Sequence, residues 1–217
     1  MLDDSALERS SVAANCAMNR ERGLAGPNSY TKELGFDPLG WVRGRPDAAW
    51  LDLCCGSGRA LIEASRWLTM MGDPDGVRLV GVDLVDYFAE PPVEQRVEFL
   101  TASIAAWLPH GSFDLITCVH GLHYVGDKLG VLARALTWLR PGGLFVADLD
   151  LANVKAPGGP RRLAAQLRAQ GVAYDGRRRR LTCEGPRILK LPYEYVGADD
   201  HAGPNYTGQP VVDSHYR

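Results

Sequence analysis

From Ala48 onward, short apolar runs alternate with segments of helical spacing. "AWLDLC" has the length of a buried strand. "GRALIEASRWLTMMG" puts Leu61, Ile62, Ser65 and Leu68 on one helical face before "GDPDG" stops it. "VRLVGVDL" predicts a second strand, "RVEFLTA" a third, and "SIAAWLP" a single helical turn. "FDLITCVHG" predicts a fourth strand. "GDKLGVLARALTWLRPGG" predicts a helix closed by a proline and two glycines, ahead of a fifth strand, "LFVADLDL". Strands alternating with helices argue for parallel βαβ units with right-handed crossovers.

The flanks follow other patterns. "SALERSSVAANCAMNRERG" predicts a helix with Leu7, Val12 and Met18 among polar residues and Gly23 as its stop. An aromatic loop with Tyr30, Phe36 and Trp41 follows. This leading segment either packs on the sheet edge or lids a cleft. Beyond the fifth strand, "GPRRLAAQLRAQG" predicts a helix. "RRRRLTCEG" and "RILKLPYEYVG" predict two strands that pair as an antiparallel hairpin. The final "ADDHAGPNYTGQPVVDSHYR" reads as ordered loop.

Composition narrows the function classes. The chain of 217 residues is long enough to bury one α/β core. A net charge of -2 creates no global field that would select nucleic acid or an anionic membrane. No apolar run approaches the ~20 residues of a membrane helix. The start, "MLDDSALERSS", lacks the basic-then-apolar order of a signal peptide, so a cytoplasmic location is expected. Cys16, Cys54, Cys55, Cys118 and Cys183 are odd in number and without zinc-ligand spacing. Reduced thiols and no metal site are expected. The run Arg177 to Arg180, read as strand, alternates faces and makes no single patch for nucleic acid.

The chemistry concentrates at "LDLCCGSG", residues 51 to 58. In an open parallel sheet, ligands sit at the carboxyl ends of the strands. Gly56 and Gly58 let backbone approach a ligand, and the next helix begins with free N–H groups. A dinucleotide fingerprint would need a third glycine where Leu61 stands. Asp52 would also repel a pyrophosphate, whereas it favours a cationic ligand.

"LDLCCGSG" resembles motif I of the class I S-adenosylmethionine-dependent methyltransferases, with Cys54 where the family has a glycine. "VGVDL", "FDLITCVHGLHYV" and "LRPGGLFVADL" resemble that family's later motifs, in the right order, over about residues 48 to 150. The resemblance implies a Rossmann-like three-layer α/β sandwich, with a mostly parallel sheet of about seven strands and an antiparallel C-terminal hairpin. It implies a single domain over 1–217: a cover over 1–45, a cofactor-binding core over 46–150, and 151–217 completing the acceptor pocket. The cofactor implied is S-adenosyl-L-methionine. Asp52, Cys54, Gly56 and Gly58 match positions along its methionine part, and Asp83 the acid that takes both ribose hydroxyls. Leu84 and Ile104 are expected at the adenine. Ser103 stands where the family often has an acid for the adenine amino group. Cys118 ends the fourth strand, and Tyr30 is expected to close over the cofactor.

Methyl transfer is an in-line displacement, so positioning supplies much of the rate. His120 and His123 follow the fourth strand and suit a base or an orienting group for the acceptor. Tyr195, Asp199, Asn205 and Tyr206 are expected to help form the acceptor pocket. A small molecule is the expected acceptor. An RNA or protein methyltransferase, a nucleotide-binding oxidoreductase and a non-catalytic cofactor-binding subunit are the alternatives.

Overall fold

The computed structural model describes residues 1–14, 21–73, 76–89, 97–204 and 208–217. In chain order the elements begin with helices α1 (Asp4–Glu8), α2 (Ser11–Ala14), α3 (Tyr30–Leu34) and α4 (Pro38–Val42). Strand β1 (Ala48–Leu53), helix α5 (Arg59–Met70), and strands β2 (Val77–Asp83), β3 (Val97–Thr101) and β4 (Phe113–Cys118) follow. Then come α6 (Lys128–Thr137), β5 (Leu139–Asp148), β6 (Val154–Lys155) and α7 (Gly159–Ala169). The chain finishes with β7 (Ala173–Asp175), β8 (Arg180–Glu184), β9 (Tyr195–Asp199) and β10 (Asp213–Tyr216).

Seven strands form one sheet in the order β3-β2-β1-β4-β5-β8-β7. The first five are parallel, and β8 and β7 add on antiparallel. Every residue of β1 and β4 is buried, because helices cover both faces of a parallel sheet. Side chains alternate across it. Trp50, Leu79 and Leu115 pack with α4 and α5 on one face. Leu51, Val82 and Ile116 pack with α6 and α7 on the other. This is the three-layer sandwich expected. The strand order reverses between β1 and β4, and the cleft of such folds lies at that point.

Several elements differ from the sequence reading. The hairpin pairs β7 with β8, and its turn is Gly176 to Arg179. Residues 187–194, expected as strand, carry none; Gly185 and Pro186 interrupt the pattern and Pro192 removes a ladder donor. Tyr195 and its neighbours instead form β9 in a second sheet, β6-β10-β9. The tail expected as loop therefore ends in a strand, β10. The sequence Leu139 to Gly143 does not close α6 but opens β5, with a register shift opposite Phe113 to Leu115. The leading helix is two short ones, α1 and α2, broken at Arg9 and Ser10. Cys16 and Met18 lie outside the described residues.

Candidate active site

A cavity opens at the carboxyl ends of β1 to β4. Cys54 and Gly56 line it from the turn after β1, Asp83 and Leu84 from the end of β2, and Ser103 and Ile104 from beyond β3. Val119, His120 and Gly121 line it from the end of β4. Asp4, Leu7 and Glu8 of α1 complete the wall.

The glycine turn is built by positive φ angles. Gly56 and Gly58 have φ of 61° and 70°. A Cβ on Gly58 would overlap the Phe99 ring, so β3 packs hard against the start of α5. Cys54 has φ 56°, the left-handed region that costs an L-residue ~1–2 kcal/mol. Its thiol hydrogen-bonds Cys118, and that contact together with burial raises its pKa well above the ordinary thiol range. Cys118 itself is buried in the core and does not line the cavity.

Asp83 accepts the Gly56 N–H at 2.8 Å and the Val85 N–H at 3.2 Å. These bonds aim its carboxylate along the cavity wall. Asp52 is deeper: it is buried, and the cavity wall does not include it. Its Oδ2 accepts from the Tyr30 hydroxyl at 2.7 Å and its Oδ1 from Thr117 Oγ1 at 2.6 Å. Burial pushes the carboxyl up to about 7, against the pull of those two donors and with the help of the Asp83 charge. Tyr30 is thus a core residue, packed edge-on against Trp50, that holds Asp52 from beneath.

At the other end, His120 has φ 61° and lines the cavity. Its Nε2 lies 3.3 Å from Glu33 Oε2 and 3.9 Å from Asp148 Oδ2. The His120 contact is the largest influence that lowers the Glu33 pKa, so Glu33 is an acceptor and Nε2 carries the proton. In the neutral ring the lone pair then sits on Nδ1. Burial raises the Asp148 carboxyl, whose Oδ2 has no hydrogen-bond partner. His123 is fully buried and stacks on His120 with ring centroids 5.9 Å apart. Burial, then the charges of His120 and Lys128, push it down to about 3. It is neutral across the physiological range and supports His120 from behind.

Sequence reasoning missed Glu8, Glu33 and Asp148. Glu8 accepts a hydrogen bond from Ser103 Oγ across 95 residues of chain. No local pattern marks either glutamate; Asp148 was visible as a strand-end acid in "VADLD". Tyr195 and Asp199 are not among the cavity residues. Tyr195 donates to Asp4 Oδ1 at 3.0 Å and so braces α1, while Asp199 pairs with Asp213 in the second sheet. Asn205 and Tyr206 lie outside the described residues.

Fold and site define a class, and the comparisons agree with it. A family described as "Methyltransferase domain" matches residues 31–182, and the chain belongs to that family. Among its relatives is a demethylmenaquinone methyltransferase of Lactococcus lactis subsp. lactis, 33% identical over 44% of this chain and 39% of that protein. A ubiquinone biosynthesis O-methyltransferase of Xanthomonas campestris pv. campestris is 30% identical over 61% of this chain and 57% of its own length. The chain spans about half the length of the curated relatives it matches. Among solved structures, the plantazolicin methyltransferase BpumL in complex with SAH overlaps with a TM-score of 0.43 and 18% identity, covering 52% of this chain and 43% of that one. No helix among the described residues is long and apolar enough to cross a membrane.

Proposed function

We propose that the chain transfers a methyl group from S-adenosylmethionine to a small-molecule acceptor. The observation that carries this reading is one cavity with the glycine turn and Asp83 along one wall and the Glu33-held imidazole of His120 in another. The residues fit the cofactor: a carboxylate aimed by two backbone N–H groups, left-handed glycine backbone, and apolar side chains beside both. When bound, the sulfonium supplies an electrophilic methyl, which bonds to the acceptor's electron pair as the C–S pair returns to sulfur.

The chain's own residues supply position and proton transfer. Asp83 accepts from the ribose hydroxyls, and Leu84 and Ile104 pack at the adenine. Glu8, with Ser103, supplies the carboxylate for the adenine amino group that the end of β3 lacks. The turn of Cys54, Gly56 and Gly58 holds the methionine end, with Asp52 as the buried charge behind it. His120 takes the acceptor's proton at Nδ1, with Glu33 fixing the tautomer. Tyr195 acts indirectly, through Asp4. The acceptors in the relatives' names are small molecules, which supports that acceptor class over RNA or protein. Cys54, Cys55, Cys118 and Cys183 are free thiols, as a cytoplasmic enzyme would keep them.

Calorimetry with S-adenosylhomocysteine and with NAD tests the cofactor. Micromolar binding of the first alone is expected; the reverse preference overturns the reading. A metabolite screen with labelled cofactor then tests transfer. On an acceptor so found, His120→Ala should lower kcat by roughly 10²–10⁴-fold with S-adenosylhomocysteine affinity kept. Glu33→Gln should lower it less and move the pH profile. Unchanged turnover in both variants removes the imidazole from the reaction.

A further inference from the structure

The arginine run is not on a strand. Arg177 and Arg178 sit in the exposed turn between β7 and β8. With Arg180 at the start of β8 and Lys32 of α3, they surround a second depression that also holds Glu33 and Asp148. Those two carboxylates are the ones that touch His120 Nε2. The depression itself does not include His120: Glu33 and Asp148 line it and stand between it and the imidazole, which lines the first cavity.

Charge decides what this depression takes. Arg180 donates to the Leu34 carbonyl at 2.6 Å and lies 3.5 Å from Asp148 Oδ1. Arg22 lies 3.7 Å from Glu33 Oε1. The two carboxylates are thus matched by two inner cations. Lys32, Arg177 and Arg178 remain as excess positive charge at the solvent side. Arg178 has only a loose, exposed ion pair, 3.9 Å from Asp175. One oxygen inside has no hydrogen-bond partner: Asp148 Oδ2, on a residue 2% exposed, which lies 3.9 Å from His120 Nε2. It is an acceptor waiting for a donor beside the reactive imidazole. Glu33, His120 and Asp148 also bring one ligand atom each within 4.8 Å, the arrangement of a cation site. The surrounding five basic side chains oppose a divalent cation there and favour an anion.

We propose that this depression binds the anionic end of the methyl acceptor. The acceptor is a small acid whose carboxylate or phosphate rests on Arg177, Arg178 and Lys32. Its nucleophilic hydroxyl or amine reaches past Asp148 to the first cavity, where His120 Nδ1 takes its proton, and a separate donor on the acceptor bonds Asp148 Oδ2. The proposal rests on the methyl-transfer reading and gives that site its substrate class.

The test is titration of inorganic phosphate into the full chain saturated with S-adenosylhomocysteine. Saturable millimolar binding is expected. The double variant Arg177→Ala, Arg178→Ala should weaken it at least fivefold. Asp148→Asn should tighten it, because a negative neighbour is removed; a generic basic surface would not respond to a buried residue. S-adenosylhomocysteine affinity should stay unchanged in the double variant, which also reports an intact fold. Non-saturable phosphate binding, or binding indifferent to these substitutions, overturns the proposal. So does saturable Mn²⁺ binding that Asp148→Asn abolishes, or a duplex RNA that binds far more tightly than phosphate with steep salt dependence. With labelled cofactor, 4-hydroxybenzoate and its uncharged amide separate the failures. Transfer to neutral acceptors alone sinks the anionic subsite and leaves methyl transfer standing. Absence of S-adenosylhomocysteine binding sinks the methyl-transfer reading itself.

Discussion

At Asp52 two effects compete. Burial disfavours the carboxylate, and donors from Tyr30 and Thr117 favour it. Burial wins, so the group titrates at about 7, where an ordinary aspartate would be long ionised. A cationic methionine end brought near it would favour ionisation, so cofactor binding should release a proton near neutrality. Affinity for S-adenosylmethionine, which carries the sulfonium charge, is expected to rise by about tenfold between pH 6 and 8, one factor of ten per unit at most. Asp52→Asn should flatten that rise, as calorimetry across the range would read. The effect on folding has the opposite sign. The folded state holds this proton above the ordinary aspartate pKa, so stability from this group falls as pH rises from about 4 to 7. The acid was visible in the sequence as a charge in an apolar strand before a glycine turn. Its partners were not, since Tyr30 and Thr117 are 22 and 65 residues away.

Among the elements, α1 carries the most consequence for its length. Its five residues are capped by Asp3, whose side chain accepts from the Ala6 N–H. Leu7 buries into a small cluster with Ala198 of β9 and Val212, the residue before β10. Tyr195 of β9 bonds Asp4, and Ser103 bonds Glu8, so one helix bridges the second sheet and the cavity at the strand ends. So short a helix has no stability of its own, and these contacts hold it. Glu8→Ala should weaken S-adenosylhomocysteine roughly tenfold, the value of one charge-assisted hydrogen bond. Glu8→Gln should recover part of that loss, because its amide oxygen still accepts. Equal affinity in all three proteins would place Glu8 outside adenine recognition. The sequence marked this segment as helical and as a cover. Which of its side chains face the cavity depended on the break at Arg9 and Ser10 and on a sheet far along the chain.

For the whole molecule, the joint between the two sheets is a buried lysine. Lys128 is 0% exposed, and its Nζ donates to the Val125 carbonyl at 2.7 Å, the Val212 carbonyl at 2.8 Å and Ser214 Oγ at 2.9 Å. Nearby, the Tyr216 hydroxyl accepts from the Leu129 N–H and donates to Asp127. The C-terminal strand is thus sewn to the start of α6. Burial drops the Lys128 ammonium to about 7, well below the ordinary lysine value. An unfolded chain holds that proton to about pH 10, so the unfolded state binds more protons above 7. Stability should therefore rise with pH from about 7 to 10. Lys128→Met should remove that slope in denaturant titrations. It should also cost roughly 3 kcal/mol at pH 7 by leaving three buried acceptors unpaired.

The sequence alone determined the parallel core, because short apolar runs and helical spacing are local properties that survive any arrangement of the rest. It marked the proposed cofactor end for the same reason: Gly56, Gly58 and Asp83 are set by strand ends and a turn. The tertiary structure decided the C-terminal pairing, since β8 reads alike whether it pairs with β7 or with a strand after it, and only the edge of β5 selects. It also decided the proposed acceptor end. His120 meets Glu33 from α3 and Asp148 from β5, and the arginine turn meets Lys32, only because the sheet brings four distant segments to one edge. Charges gathered across such separations leave no pattern along the chain.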